Sequence, residues 1–134
     1  MSDCGVCIGT SDYDAPEWSN TDIVKACRKP FLCCECKREV PKGKSYEKSV
    51  MKYEGEFYTY RTCMDCVNIR DGLRCGRGFL YESLWDDITE VFDQITTGCL
   101  AKIETASAKA YFVERWRKWK GLDSPTPGPS PANT

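Results

Sequence analysis

Two runs rich in alternating apolar and polar residues, Lys44 to Tyr53 and Glu56 to Thr62, flank Glu54-Gly55, and the pattern predicts a β-hairpin. Ahead of it, Phe31 and Leu32 lead into the turn CCEC, and Pro41-Lys42-Gly43-Lys44 turns the chain again. The segment TCMDCVNIRDGLRC follows the second strand and opens a short helical pattern that Gly72 ends. In LYESLWDDITEVFDQI, Leu80, Leu84, Ile88, Val91 and Ile95 recur at helical intervals, with most acids on the other faces. A further helix is predicted from about Leu100 to Lys120, with Leu100, Ile103, Tyr111, Trp116 and Trp119 on a looser stripe and Gly121 as its stop. Residues 1–24 are polar and without period, and read as an extended arm that only bound metal or docking would order. Residues 122–134 carry four prolines and almost nothing to bury, which predicts a disordered tail. The 134 residues suffice for one domain: the arm, a knuckle, hairpin and helix core over 25–78, a helical part over 79–121, and the tail.

The ten cysteines change this picture, because a chain so small and so rich in cysteine either builds a disulfide framework or binds metal. The start MSDCGVCIGTSD has neither a basic region nor an apolar one, so the expectation is a reducing cytoplasm, thiolates and metal. Cys33-x-x-Cys36 and Cys63-x-x-Cys66 are 26 residues apart, and a hairpin between two such turns brings four sulfurs around one Zn2+ at about 2.3 Å. The second pair sits at a predicted helix start, where free N–H groups favour thiolates. Turn, hairpin and helix start sharing one ion is a treble-clef-like arrangement, so the predicted fold is a small zinc-stabilised α+β domain with two C-terminal helices. The alternative is four buried or redox-active thiols. Cys34 points away from an ion held by Cys33 and Cys36, and with Cys4, Cys7 and Cys75 it makes a candidate second zinc centre. Cys27 is able to replace any one of those four, while Cys99 has no assigned role. The bland reading is ordinary buried cysteines and a floppy arm.

Chemistry narrows through an absence. The chain has no histidine, which removes His-dependent nucleases, HExxH proteases, Ser-His-Asp and Cys-His nucleophiles and the zinc deaminase centre. Four-thiolate zinc lacks the open position that activates water, and no phosphate-cradling glycine loop is present. No catalytic residue is assigned. No stretch approaches the roughly 20 apolar residues that cross a bilayer.

Charge is nearly balanced, 19 basic against 20 acidic side chains, but it is segregated. Residues 25–62 are rich in Lys and Arg, and residues 82–93 hold five acids and no base. Two partner surfaces follow. The first pairs the acidic helix, with Asp86 and Asp87, and the Trp/Arg helix, with Arg115, Trp116, Arg117 and Trp119, as protein-binding candidates. Its alternative is that the tryptophans anchor the last helix to the body. The second interleaves Lys44, Lys48, Lys52 and Arg61 with Tyr58 and Tyr60 on the hairpin, as nucleic acid would require. There the alternative is one aromatic face packed inward and lysines coating the edge.

The run KACRKPFLCCECKREVPKGKSYE, then YEGEFYTYRTCMDC and FLYESLWDDI, resembles small cysteine-rich proteins encoded in bacteriophage and prophage genomes. The likeness covers about residues 4–92. Two positions depart from it: Lys37 stands where glycine is easiest, and Phe31-Leu32 replaces a polar residue before the first cysteine. The resemblance implies phage origin and expression in a bacterial cytoplasm, and it carries no established activity. The expected function is a non-enzymatic zinc-binding module that binds and inhibits or redirects a host protein. A nucleic-acid-binding regulator is the alternative, and a CxxC redox protein is the weaker one.

Overall fold

The computed structural model describes residues 7–8, 16–74 and 81–121, and is α+β, with a small antiparallel sheet and several helices. The predicted hairpin is β4 (Tyr46–Tyr53) and β5 (Glu56–Cys63), in the register Tyr46↔Cys63 to Tyr53↔Glu56. Glu54 and Gly55 both take positive φ, 49° and 81°, which matches the right-handed twist of the two strands and closes the turn in two residues. Two short strands, β2 (Phe31–Leu32) and β3 (Glu39–Val40), pair across the cysteine turn.

The arm differs from its sequence reading in part. Trp18–Val24 is a seven-residue strand, β1, paired antiparallel along β4, so the sheet order is β1-β4-β5. Its side chains are almost all exposed, and the backbone ladder to β4 orders it rather than burial. Cys4, Cys75, Leu80 and the tail lie outside the described residues.

Helix α1 (Met64–Leu73) begins directly after the last residue of the hairpin and buries Ile69 and Leu73 completely. Helix α2 (Leu84–Val91) continues through a 3-10 turn, Phe92–Gln94, and places Leu84, Trp85, Ile88 and Phe92 inside. The long C-terminal helix of the sequence reading is two: α3 (Thr97–Ala101) and α4 (Ala106–Lys120). The break has a local cause. Ile103 leaves the helical path to sit fully buried, and Thr105 starts a new helix by accepting the Ala108 N–H. Gly121, at φ 79°, ends α4 as the sequence predicts.

One contact explains a glycine. A Cβ at Gly72 would come 2.5 Å from the Lys102 carbonyl oxygen, so α1 and the segment after α3 meet backbone to backbone. On the same end of α1, the Ile8 N–H donates to Leu73 O at 3.0 Å and Ile8 is buried. Across the other side, Arg70 of α1 and Glu47 of β4 form a buried two-pronged ion pair at 2.9 and 2.8 Å. No described helix is long and apolar enough to cross a membrane.

Candidate metal centre

Cys33 and Cys36 sit on the turn between β2 and β3, Cys63 closes β5, and Cys66 lies in the first turn of α1. Cys63 is also the N-cap of α1, its sulfur accepting the Cys66 N–H at 3.5 Å, so one residue ends the hairpin, starts the helix and offers a ligand. All four sulfurs lie within 4.8 Å of one another, and those of Cys36 and Cys63 are 3.8 Å apart. Sulfurs bound tetrahedrally at about 2.3 Å to one ion stand roughly 3.8 Å apart, so the tetrad already has the size of a metal-thiolate site. Four cysteines placed in this way could hold a metal ion.

Each sulfur accepts an N–H. Cys33 Sγ takes the backbone N–H groups of Glu35 and Cys63 at 3.3 Å each. Arg38 Nε donates to Cys36 at 3.4 Å and its Nη2 to Cys63 at 3.8 Å, while the indole N–H of buried Trp85 donates to Cys66 at 3.4 Å. These donors stabilise negative sulfur and orient the ligands, the part that surrounding hydrogen bonds play in thiolate metal sites. Donation from Cys33, reinforced by Cys63, Cys66 and Arg38, holds the Cys36 thiol well below its usual range. Cys66 is pushed the other way by the neighbouring Cys33, Cys36 and Cys63 and by burial.

Arg38 has further anchors. It donates to Asp65 at 3.1 Å, and its guanidinium lies 3.5 Å from the Tyr111 ring centroid, tying the centre to α4. The knuckle also reaches α2: the Glu35 carboxylate accepts the Glu82 N–H at 3.0 Å and the Leu84 N–H at 3.1 Å. It therefore satisfies open donors at that helix start. Arg38, Trp85 and Glu35 had no sequence signal beyond their nearness to cysteines or an apolar stripe.

Lys37 carries the strain that its sequence position suggests, with φ 65°. The left-handed region costs a side chain about 1–2 kcal/mol, against about 0.5–1 kcal/mol of extra entropy for glycine. Lys37→Gly is therefore expected to raise stability by roughly 0.5 kcal/mol in urea denaturation, and a loss of 1 kcal/mol or more would mean that the Lys37 Nζ bond to Cys34 O outweighs the strain.

Of the second centre read in the sequence, Cys34 and Cys7 fall among the described residues. Cys34 is a free thiol whose sulfur lies 3.3 Å from Thr62 Oγ1, and burial pushes it up to about 12. Cys7 is disulfide-bonded, so Cys7 and Cys34 are not a pair of free thiolates. Cys4 and Cys75, the remaining members, lie outside the described residues. Cys99, without a role in the sequence, is fully buried and disulfide-bonded, which also departs from the expectation of thiolates throughout. Cys27 is free and buried and donates to Pro41 O at 3.0 Å.

The partner surfaces are sorted by the fold. Asp86 and Arg117 are exposed and Asp87 is half-buried. Arg115 turns inward, its guanidinium 4.2 Å from the Trp85 ring centroid and its Nη1 donating to Tyr111 Oη. Trp116 packs partly on the core, and exposed Trp119 leans on Phe92 with centroids 5.5 Å apart. The hairpin set is divided between two faces. Lys48, Lys52 and Arg61 share one, whereas Tyr58 and Tyr60 lie on the other, where Tyr60 stacks on Tyr81 at 4.6 Å. Lys44 precedes β4 and lines a separate cleft with Arg38 and Asp65. Comparison with family models, curated proteins and solved structures gives no match.

Proposed function

We propose that the chain is a zinc-stapled, non-enzymatic protein-binding module in which a treble-clef-like knuckle, hairpin and helix presents the α2 and α4 surface to a partner. The observation that carries this reading is the closed tetrad. Four sulfurs within 4.8 Å of one another, each accepting an N–H, suit a tetrahedral zinc site, and an ion held by all four would have no open position for substrate or water. Zinc suits a set of four thiolates better than the harder cations do. Its part here is architectural: it joins knuckle, hairpin and helix in a chain with a modest core.

The surface that supports a protein partner is the cleft between α2 and α4, 460 Å³ in volume, with Phe92, Tyr111 and Trp119 as aromatic walls and Arg115, Lys118 and Glu114 at its margin. Aromatic and Arg side chains at such a cleft are the residue types that dominate binding energy. The resemblance to phage-encoded cysteine-rich proteins favours a host protein as partner, to be inhibited or redirected. Affinity capture from a bacterial lysate tests the reading. The wild-type chain is expected to retain one specific partner, and Trp119→Ala and Asp86→Lys variants to retain at least tenfold less, the cost of losing one strong contact residue. A wild-type chain that retains none removes the proposal.

A further inference from the structure

The β1-β4-β5 sheet has one face that the knuckle and helices leave largely open. Directly paired residues in an antiparallel sheet point to the same side. The register therefore builds this face from cross-strand rows: Trp18, Lys52 and Phe57; Asn20, Val50 and Thr59; Asp22, Lys48 and Arg61. Trp18 and Phe57 are 50% and 63% exposed, unusually open for such large rings, and meet edge to face at 6.1 Å beside Lys52. At the other end, Lys48 and Arg61 line a 580 Å³ cleft with Arg28, Lys29, Phe31 and Tyr46.

The charge on this face is one-sided. Lys48, Lys52, Arg61, Arg28 and Lys29 form no ion pair among the described residues. Asp22 is the one acid in the three rows, and its carboxylate accepts the Asn20 side-chain N–H at 2.9 Å. A chain with formal charge −1 thus gathers more cations than acids on one sheet face, with two open aromatic rings at one end of it. Lys48 and Lys52 are four residues apart on one strand, about 13 Å, a span of two to three nucleotides in an extended strand.

We propose that this face binds single-stranded nucleic acid, with phosphates tracking from the Arg28, Lys29, Lys48 and Arg61 cleft toward Lys52 and bases stacking on Trp18 and Phe57. Cationic side chains that follow a backbone and aromatic rings that accept any base are the two parts of sequence-tolerant single-strand binding. A duplex fits less well, since its stacked bases are closed to Trp18 and Phe57. An acidic protein would use the cations and leave the two rings without a role. The site is independent of the α2 and α4 surface proposed above, so either proposal can fail alone.

Fluorescence anisotropy with labelled oligothymidylate and oligouridylate, on the full metal-loaded chain, tests it. Affinity for at least one strand is expected to fall steeply between about 50 and 200 mM salt, with a log–log slope near −0.7 per phosphate contacted. Lys48→Ala/Arg61→Ala should make that slope shallower by about 1.4, and Lys48→Arg/Arg61→Lys should restore it. Trp18→Ala/Phe57→Ala should weaken binding by about tenfold or more with the slope unchanged, because stacking releases no counterions. Lys109→Ala, at an exposed position of α4, should change neither quantity. No binding at low salt, binding indifferent to these four residues, equal affinity for a duplex, or binding of polyglutamate that an oligonucleotide does not displace would each overturn the proposal.

Discussion

Cys66→Ser is expected to abolish stoichiometric zinc binding and, with it, cooperative folding. Structural zinc contributes about 10–16 kcal/mol at neutral pH in small metal-dependent domains, whereas the whole stability of a domain is about 5–15 kcal/mol. In this chain the same four sulfurs connect the β2–β3 turn, the end of β5 and the start of α1, and Trp85 of α2 is hydrogen-bonded to one of them. Losing an ion held there would therefore loosen four elements at once. Native mass spectrometry should find one zinc on this tetrad in the wild type and none there in Cys66→Ser, and a chelator should remove the sharp thermal transition of the wild type. Cys27→Ser is the matched control: it is buried and free, but its sulfur bonds Pro41 O, so zinc should remain and stability fall by about 1 kcal/mol. A wild-type chain that binds no zinc, or that keeps its cooperative melt after chelation, would sink the architectural role. Acid should release the ion, because protons compete with zinc for the same sulfurs.

The parts of this fold that sequence could reach are those where a local rule and the tertiary structure agree. Glu54-Gly55 between alternating runs names a two-residue turn, and paired CxxC turns at hairpin spacing name a four-sulfur cluster; both stand in the structure. The parts it could not reach are set by long-range pairing. Trp18–Val24 has no apolar period because its side chains stay almost all exposed among the described residues, and its ladder to β4 makes it a strand. Arg115 reads as a surface cation in ERWRKWKG, yet it lies over Trp85 because α4 crosses that ring. The helix predicted through residues 100–120 breaks between Ala101 and Ala106, where Ile103 is fully buried and Thr105 caps a new helix, both of them set by tertiary packing rather than by local period. Cysteine spacing likewise identifies which thiols can share an ion, but says nothing of Thr62 beside Cys34 or the disulfide engagement of Cys7 and Cys99.

The second large effect is expected at a pair that no sequence pattern marks, Glu47 and Arg70. Both are more than nine-tenths buried, and each carboxylate oxygen meets one guanidinium nitrogen, with Tyr81 Oη donating to Glu47 Oε1 at 3.1 Å. Burial works against the Arg70 charge, but Glu47 holds the guanidinium ionised above its ordinary range. Glu47→Ala leaves that cation inside with the half-exposed Asp71 carboxylate, 3.3 Å from its Nε, in place of the two-pronged partner, and the expected loss is about 3 kcal/mol in urea denaturation of the zinc-loaded chain, the low end for a broken buried pair. The double change Glu47→Leu/Arg70→Met should recover most of it, since neither charge remains to be desolvated and the volumes are similar. The two results together separate a buried-charge penalty from a simple loss of contacts, which would make the double variant the worse one. The pair also bears on the metal. Arg70 lies one helical turn beyond Cys66 on α1, and Glu47 lies beside Tyr46, which pairs with Cys63. Releasing α1 from β4 should therefore let Cys66 drift from the tetrad, and Glu47→Ala should surrender zinc to a chelator faster than the wild type, while the double variant should not.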